Sequence, residues 1–220
     1  MSQQKFTTVL WDLDGTILDS SPGVFESFRH TLATLGLGEI TDEQLKPFMG
    51  PPLEYTFGTL LGHSPEMVSK CLETYREYYL HMGGALNANV YPGVLETLAK
   101  SQAAGITNSL ATSKAERGAK LTGEHFGFIQ YFDVLGTASN DSSRLSKTAV
   151  LKYAFEELQK IGADLSRVIL IGDRIHDIEG ARELGIPVAL VKWGFGTEEE
   201  WHQADYVVET PAELQELLGL

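Results

Sequence analysis

Four aspartates follow two short apolar segments of the chain, at positions where carboxylates can do chemistry. Asp12 and Asp14 come directly after the first segment, and Asp173 and Asp177 come after the second. Carboxylates that converge on one site raise each other's pKa unless a cation lies between them. An all-oxygen set of this kind suits a hard cation, and Mg²⁺ is held by one or two carboxylates together with a substrate phosphate. The pattern therefore predicts a magnesium site.

Phosphoryl transfer is the reaction that such a set of groups can carry out. A carboxylate is a good nucleophile toward phosphorus because the acyl phosphate that it forms is easily hydrolysed. A second carboxylic acid two residues away on a turn can protonate the leaving oxygen and later activate water. Thr112 and Lys147, a hydroxyl and an ammonium in later segments, can hold the phosphoryl oxygens. The residue types thus favour an enzyme that acts on phosphate esters.

Short apolar runs alternate with amphipathic stretches, and this alternation must position the polar groups. The runs predict strands over 6–11, 106–111, 132–135, 168–171 and 187–191, with a short edge strand over 206–208. Helices are predicted over 94–103, 115–126, 148–161, 178–184 and 211–218. Near-continuous apolar strands between helices indicate an α/β fold, a doubly wound parallel sheet with a Rossmann-like core. The polar groups are then expected to converge at the carboxyl edge of that sheet.

One long segment interrupts the alternation of strands and helices. From about Ser21 to Ala85 the chain shows helical periodicity and no convincing strand. This segment is far longer than a βα loop, which normally has roughly 2–6 residues. We therefore expect an inserted all-helical cap domain over the carboxyl ends of the strands. The expected boundaries are 19–87 for the cap and 1–18 with 88–220 for the catalytic core.

The composition is that of an ordinary globular protein and argues against several classes of partner. The 220 residues are 43% hydrophobic and 21% charged, with a formal net charge of −13. Nucleic acids and anionic membranes are bound mainly through Lys and Arg, so neither is expected as a partner. Cys71 is the only cysteine, which fits a reducing compartment, and no apolar run approaches the roughly 18 residues of a membrane span. We expect a cytoplasmic protein.

The order and context of these groups resemble the motifs of a known superfamily. The stretch from Asp12 to Ser20 resembles the first motif of the haloacid dehalogenase superfamily. Thr112, Lys147 and the segment from Gly172 to Asp177 resemble its second, third and fourth motifs. The resemblance covers nearly the whole chain and points to the phosphoglycolate-phosphatase-like branch, which has a helical cap after the first motif.

The resemblance implies a role for each of these residues. Asp12 would be the nucleophile and a metal ligand, and Asp14 the general acid and base, with its backbone carbonyl also on the metal. Asp173 would be a direct Mg²⁺ ligand, and Asp177 would hold a metal-bound water. The groups expected to bind the phosphate are Thr112, Ser113, Lys147 and Gly15. The further substrate contacts expected are Arg174, His176 and, in the cap, Gly50.

The expected activity is Mg²⁺-dependent hydrolysis of a small phosphomonoester through an aspartyl-phosphate on Asp12. Phosphoglycolate is one candidate substrate, although Pro51 stands where many phosphoglycolate phosphatases carry an arginine that can clamp a carboxylate. Other candidates are a 5'-nucleotidase, a sugar-phosphate phosphatase or phosphomutase, and a phosphate-sensing module that is phosphorylated on Asp12 without turnover. The expected partner is a small phosphorylated metabolite, and the chain is expected to be a monomer or a homodimer.

Overall fold

The structure, a computed structural model, describes residues 5–141 and 143–220. An α/β unit contains the residues up to Asp19 together with Val90–Leu220, and a helical unit contains Ser20–Asn89. The strands in the described residues are β1 (Thr8–Trp11), β2 (Leu18–Asp19), β3 (Asn89–Val90), β4 (Thr107–Ala115), β5 (Val134–Ala138), β6 (Val168–Gly172), β7 (Val188–Val191) and β8 (Tyr206–Val208). The helices are α1 (Ser21–Thr34), α2 (Asp42–Leu45), α3 (Leu53–Tyr55), α4 (Pro65–His81), α5 (Val94–Ala103), α6 (Glu116–His125), α7 (Lys147–Lys160), α8 (Ile175–Leu184), α9 (Glu198–Trp201) and α10 (Pro211–Leu218).

Six strands of the α/β unit form one parallel sheet in the order β5-β4-β1-β6-β7-β8. Successive residues of β1 point to opposite faces, because side chains alternate along a strand. Val9 and Trp11 pack in one apolar cluster with residues of α5, α6 and α10, and Leu10 packs in the other with residues of α7 and α8. Both faces are therefore covered, which confirms the predicted doubly wound parallel sheet.

The strand order places a natural binding site beside β1. The chain runs from β1 to β4 and β5 on one side, and then returns to β6 on the other side of β1. Trp11 pairs with Ile171, and the Asp12 amide donates to the Ile171 carbonyl at 2.8 Å. Ligands of open α/β sheets bind outside the carboxyl ends of the strands where the strand order reverses. Asp12 and Asp173 follow the two strands at this point.

The strand that carries Thr112 is longer than the sequence predicts. The apolar run suggests a strand that ends at Ala111, whereas β4 continues to Ala115. Its pairing with β5 shifts register between Thr112 and Ala115, so the extension contains an irregularity. The polar residues at its end extend this strand because they pair with the neighbouring β5. A prediction based on runs of apolar residues cannot detect such pairing. Thr112 and Ser113 therefore lie inside β4 and not in a loop after it.

The helical unit is built around an aromatic core. No strand occurs between Ser21 and Leu86, a stretch that the structure describes in full, so the all-helical prediction is confirmed. The Phe28 ring lies 5.0–5.1 Å from the rings of Phe48, Phe57 and Tyr75, which holds α1, α4 and the turns between them together. The longest helix, α4, has 17 residues, and no helix in the described part of the chain is long and apolar enough to cross a membrane.

Asn108, on strand β4, is the centre of a buried polar network. Its Oδ1 accepts hydrogen bonds from Trp11 Nε1 at 3.0 Å and from the Ser101 hydroxyl at 2.8 Å, and its Nδ2 donates to the Ile106 carbonyl. All of these hydrogen bonds are buried, so water cannot replace a lost partner without opening the core.

We expect Asn108→Ala to lower the free energy of unfolding by about 2–3 kcal/mol, because two buried donors lose their acceptor. Urea denaturation measures this difference. Gln102→Ala, on the exposed side of α5, is the matched control and should leave the urea midpoint unchanged. A midpoint for Asn108→Ala equal to that of the wild type would contradict the network's contribution.

Candidate active site

Three buried carboxylates converge at the carboxyl ends of β1 and β6. Asp12, Asp173 and Asp177 each bring an oxygen to within 4.8 Å of the others. All three are buried, and Asp173 is completely so. They come from different places in the chain, because Asp12 follows β1, Asp173 follows β6 and Asp177 lies in the first turn of α8. The fold thus brings together three of the four aspartates singled out in the sequence.

Lys147 supplies the ammonium of this cluster. Its Nζ lies 2.7 Å from Asp12 Oδ1 and 2.7 Å from Asp177 Oδ1, and it donates to the Ala111 carbonyl at 2.6 Å. Lys147 is the first residue of α7, which is capped by the Ser146 hydroxyl. Its aliphatic stem passes close to α8 at Gly180, where a Cβ would lie only 2.8 Å from Lys147 Cγ.

Burial and neighbouring charges both shift the pKa values of this cluster. Burial raises the pKa of Asp12 from 3.8 to about 7, although the Lys147 ammonium opposes the shift. Burial also raises the pKa of Asp173 well above its ordinary value, and the neighbouring carboxylates add to this. For Lys147, burial alone would lower the pKa, but Asp12 and Asp177 outweigh it and raise the pKa. Three carboxylates beside one ammonium are an excess of negative charge.

The cluster fits a hard divalent cation. Asp173 Oδ2 accepts a hydrogen bond from the Phe195 amide at 2.7 Å, whereas Asp173 Oδ1 is buried and has no hydrogen-bond partner among the described residues. An unpaired carboxylate oxygen in a buried, negatively charged cluster is costly unless a cation approaches it. Oxygen ligands of this kind are those that Mg²⁺ prefers.

The Asp177 side chain is fixed at both of its oxygens. Oδ2 accepts from the amides of Asp173 and Arg174, at 3.1 and 3.0 Å, and Oδ1 faces the Lys147 ammonium. This arrangement closes the first turn of α8 onto the loop that carries Asp173. Gly172 permits it, because a Cβ there would lie 2.2 Å from Asp177 Cγ.

Asp14 lies outside the three-carboxylate cluster and has a partner of its own. Lys114 Nζ donates to both Asp14 oxygens, at 2.8 and 3.0 Å. The Lys114 side chain is 8% exposed and the Asp14 side chain 28% exposed, so Asp14 remains the more accessible of the two. The sequence places Asp14 two residues after Asp12, and the turn between β1 and β2 directs the two carboxylates to different partners.

The predicted phosphate-binding residues have varied surroundings. Thr112 is buried and its hydroxyl accepts from the Lys114 amide at 3.1 Å, whereas Ser113 is exposed. The Gly15 N–H donates to the Leu18 carbonyl at 2.7 Å, and contact of Gly15 with phosphate stays a prediction. With φ at +87° and a virtual Cβ 2.0 Å from Asp173 Oδ2, Gly15 also provides space for Asp173.

The predicted substrate contacts belong to two parts of the chain, Arg174 and His176 to the α/β unit and Gly50 to the helical unit. Arg174 pairs with Glu200, its Nε lying 3.2 Å from both Glu200 oxygens. His176 is half-exposed, and its Nδ1 lies 3.5 Å from a Glu179 oxygen on the same helix. Gly50, with φ at +105°, belongs to the helical unit. Contact of these three residues with a substrate stays a prediction.

Glu200 is the residue of this region that the sequence does not reveal as important. It ends a run of three glutamates, Glu198 to Glu200, which is typical of a solvated helix start. Glu198 and Glu199 are exposed as expected, but Glu200 is buried. One available signal is the spacing Thr197-x-x-Glu200, a capping box that orders the third glutamate of the run.

The chain is similar to known proteins over nearly its whole length. A family model described as haloacid dehalogenase-like hydrolase matches residues 9–191. Tyrosine-protein kinase PtkA of Mycobacterium tuberculosis is 37% identical over 217 residues, which are 96% of this chain and 72% of that protein. A 5'-nucleotidase of Pseudomonas aeruginosa is 31% identical over 216 residues, 97% of this chain and 96% of that protein. A solved structure of a predicted phosphatase from Clostridium acetobutylicum has a TM-score of 0.88 at 31% identity, covering 98% of this chain and 99% of that one.

Proposed function

The chain belongs to the haloacid dehalogenase-like hydrolase family and is a phosphatase, and from that premise we propose a Mg²⁺-dependent reaction through an aspartyl-phosphate on Asp12. The substrate is a small phosphomonoester, and we assign the reaction to the cytoplasm. The observation that carries the proposal is the buried cluster of Asp12, Asp173 and Asp177 around the Lys147 ammonium. In this proposal Asp12 is the nucleophile, the carboxylates form the cation site and Lys147 binds the phosphate.

The cation would be held by Asp12, by Asp173 and by the backbone carbonyl of Asp14. Asp177 would hold the cation indirectly, through water, because its Oδ2 accepts from two backbone amides and its Oδ1 is paired with Lys147. When bound, Mg²⁺ supplies positive charge that stabilises the phosphoryl oxygens and favours ionised aspartates.

The first step forms a bond between an Asp12 oxygen and phosphorus while the bond from phosphorus to the leaving oxygen breaks. Asp14 donates a proton to that leaving oxygen as it departs. Lys147 orients Asp12 through Oδ1, and with Thr112 it binds the phosphoryl oxygens, where positioning and charge stabilisation dominate catalysis. The alcohol leaves, and the phosphoryl group remains on Asp12.

The second step hydrolyses the acyl phosphate. Asp14, now a carboxylate, takes a proton from water, whose oxygen attacks phosphorus and releases Asp12 and inorganic phosphate. Lys114 Nζ donates to both Asp14 oxygens and so holds this side chain in place. A general base beside the acyl phosphate favours turnover over a long-lived phosphorylated state, which argues against the phosphate-sensing alternative.

Substrate choice is assigned to the helical unit acting as a cap, with Arg174, His176 and Gly50 as candidate contacts. The 5'-nucleotidase relative supports a 5'-nucleotide as one substrate to test, beside phosphoglycolate and sugar phosphates. Pro51 in place of an arginine weighs against phosphoglycolate.

The test is phosphate release from p-nitrophenyl phosphate and from a panel of phosphoglycolate, 5'-nucleotides and sugar phosphates. We expect release with Mg²⁺ and none after EDTA treatment, with recovery when Mg²⁺ is restored. Borohydride reduction during turnover should convert Asp12 to a homoserine, which peptide mass spectrometry locates. Activity that persists in EDTA, or a label at another residue, would sink the proposal.

Phosphoryl transfer to an acceptor other than water is the second candidate, because the PtkA relative is named as a tyrosine kinase. The same aspartyl-phosphate can pass its phosphoryl group to a hydroxyl if water is excluded. Product analysis with a hexose phosphate, and with a tyrosine peptide plus ATP, separates transfer from hydrolysis. Free phosphate as the sole product supports the phosphatase.

A further inference from the structure

Glu200 joins two loops that meet beside Asp173. Its Oε1 accepts from Arg174 Nε at 3.2 Å and from the Ile175 amide at 3.3 Å. Its Oε2 accepts from the Thr197 amide at 2.9 Å and lies 3.2 Å from the same Arg174 Nε. One buried carboxylate thus ties the two residues that follow Asp173 to the beginning of α9.

The loop before α9 also touches Asp173 directly. The Phe195 amide donates to Asp173 Oδ2 at 2.7 Å. Gly196 approaches the Asp173 carbonyl so closely that a Cβ there would lie 2.1 Å from it. Together with Glu200, these contacts close a ring that passes through the segments 173–175 and 195–197. Asp173 is held in this ring at its side chain and through its chain neighbours, with the Gly196 backbone close to its carbonyl.

The ring decides which oxygen of Asp173 is available. Oδ2 is occupied by the Phe195 amide, while Oδ1 stays buried without a hydrogen-bond partner in the described chain. The Glu200 charge is balanced by Arg174, so its effect on the site is one of geometry. Partners that orient a metal ligand usually change metal affinity by 10–100-fold when they are lost.

We infer that Glu200 is a positioning residue for the cation: it fixes the loops on either side of Asp173 and so presents Asp173 Oδ1 to Mg²⁺. This inference rests on the proposed function, because it takes Asp173 as a Mg²⁺ ligand. In this inference Glu200 acts through the loops that it joins and is not itself a ligand of the cation. Its loss leaves Arg174 without this carboxylate and the Ile175 and Thr197 amides without their acceptor.

The test compares Glu200→Gln with Glu199→Gln, an exposed neighbour in the same helix. Isothermal titration of the full chain with Mg²⁺, in the absence of substrate, gives the affinity directly. We expect the Mg²⁺ Kd to rise about 10-fold in Glu200→Gln and to stay unchanged in Glu199→Gln. With p-nitrophenyl phosphate, kcat of Glu200→Gln should recover at saturating Mg²⁺ while KM for the ester stays constant. A general structural defect would not be repaired by Mg²⁺.

An unchanged Mg²⁺ Kd in Glu200→Gln, or a kcat that stays low at saturating Mg²⁺, overturns the inference. If circular dichroism shows that Glu200→Gln does not fold, Arg174→Gln removes the same ion pair from the other side. Its Mg²⁺ Kd, again measured without substrate, must then rise. A wild-type chain that neither binds Mg²⁺ nor requires it for phosphate release would refute the proposed function itself. If instead the wild type binds Mg²⁺ and needs it, and the Glu200→Gln substitution leaves the Mg²⁺ Kd unchanged, only the inference about Glu200 is overturned.

Discussion

Asp12→Asn should abolish phosphate release, lowering kcat on the order of 10⁴-fold or more, as loss of a nucleophile does in other covalent mechanisms. The amide has nearly the same shape as the carboxylate but is too weak a nucleophile to form an acyl phosphate. Steady-state hydrolysis of p-nitrophenyl phosphate at saturating Mg²⁺ measures the loss. Borohydride trapping of the variant should yield no homoserine.

The design of this experiment separates chemistry from folding. Asp12 is buried and its pKa is raised to about 7, so an uncharged asparagine should leave the melting temperature unchanged or higher. Asp164→Asn, at an exposed aspartate before β6, is the matched control and should keep full activity. An Asp12→Asn variant that retains measurable turnover would mean that another residue carries the phosphoryl group.

Lys147→Met should lower the free energy of unfolding by about 3–5 kcal/mol at neutral pH in EDTA, because one partner of a buried ionic cluster is removed. Methionine keeps much of the aliphatic stem that passes Gly180, so packing changes little. Asp12 and Asp177 then remain buried without their ammonium. Urea denaturation measures the loss, and hydrolysis should fail as well because the phosphoryl oxygens lose a cation.

The loss of stability caused by Lys147→Met should increase with pH. A carboxyl group whose pKa is raised in the folded state stabilises the fold while it is protonated, and this stability is lost as the pH rises through that pKa. For Asp12 this stability is lost between pH 3.8, its ordinary pKa, and about pH 7, its pKa in the folded state with Lys147 present. The difference in the free energy of unfolding between Lys147→Met and the wild type should therefore be smaller at pH 5 than at pH 8.

Lys160→Met offers the matched comparison on the same helix. Lys160 ends α7, is exposed and pairs with Glu157 at the surface. Surface ion pairs contribute little, so its loss should not change the urea midpoint measurably. Equal destabilisation by the two lysine substitutions would show that the buried cluster does not depend on the ammonium.

The convergence of the aspartates could be predicted because it follows from strand order. Apolar runs locate β1 and β6, and parallel strands bring their carboxyl ends to one edge. Lys147 could be placed as well, because it opens the helix after β5. These inferences use only local patterns and the general geometry of α/β sheets, and the doubly wound fold that they imply is the one observed.

Pairings between distant loops could not be predicted. The burial of Glu200 depends on Arg174, which lies 26 residues away on another loop. The pairing of Asp14 with Lys114 depends on β4 continuing beyond its apolar run. The space that Gly15 leaves for Asp173 depends on two segments whose approach is a property of the tertiary structure. Local sequence patterns carry none of this information.

The central place of β1 has a consequence for the order of folding. β1 is made first, yet its neighbours β4 and β6 begin about 100 and 160 residues later. Bringing such distant segments together costs loop-closure entropy and slows folding. During synthesis, the contiguous helical unit can pack around its own aromatic core while β1 is still unpaired, because β4 and β6 have not yet been made. The residue that starts the chemistry therefore belongs to a strand whose sheet can be completed only late in the growth of the chain.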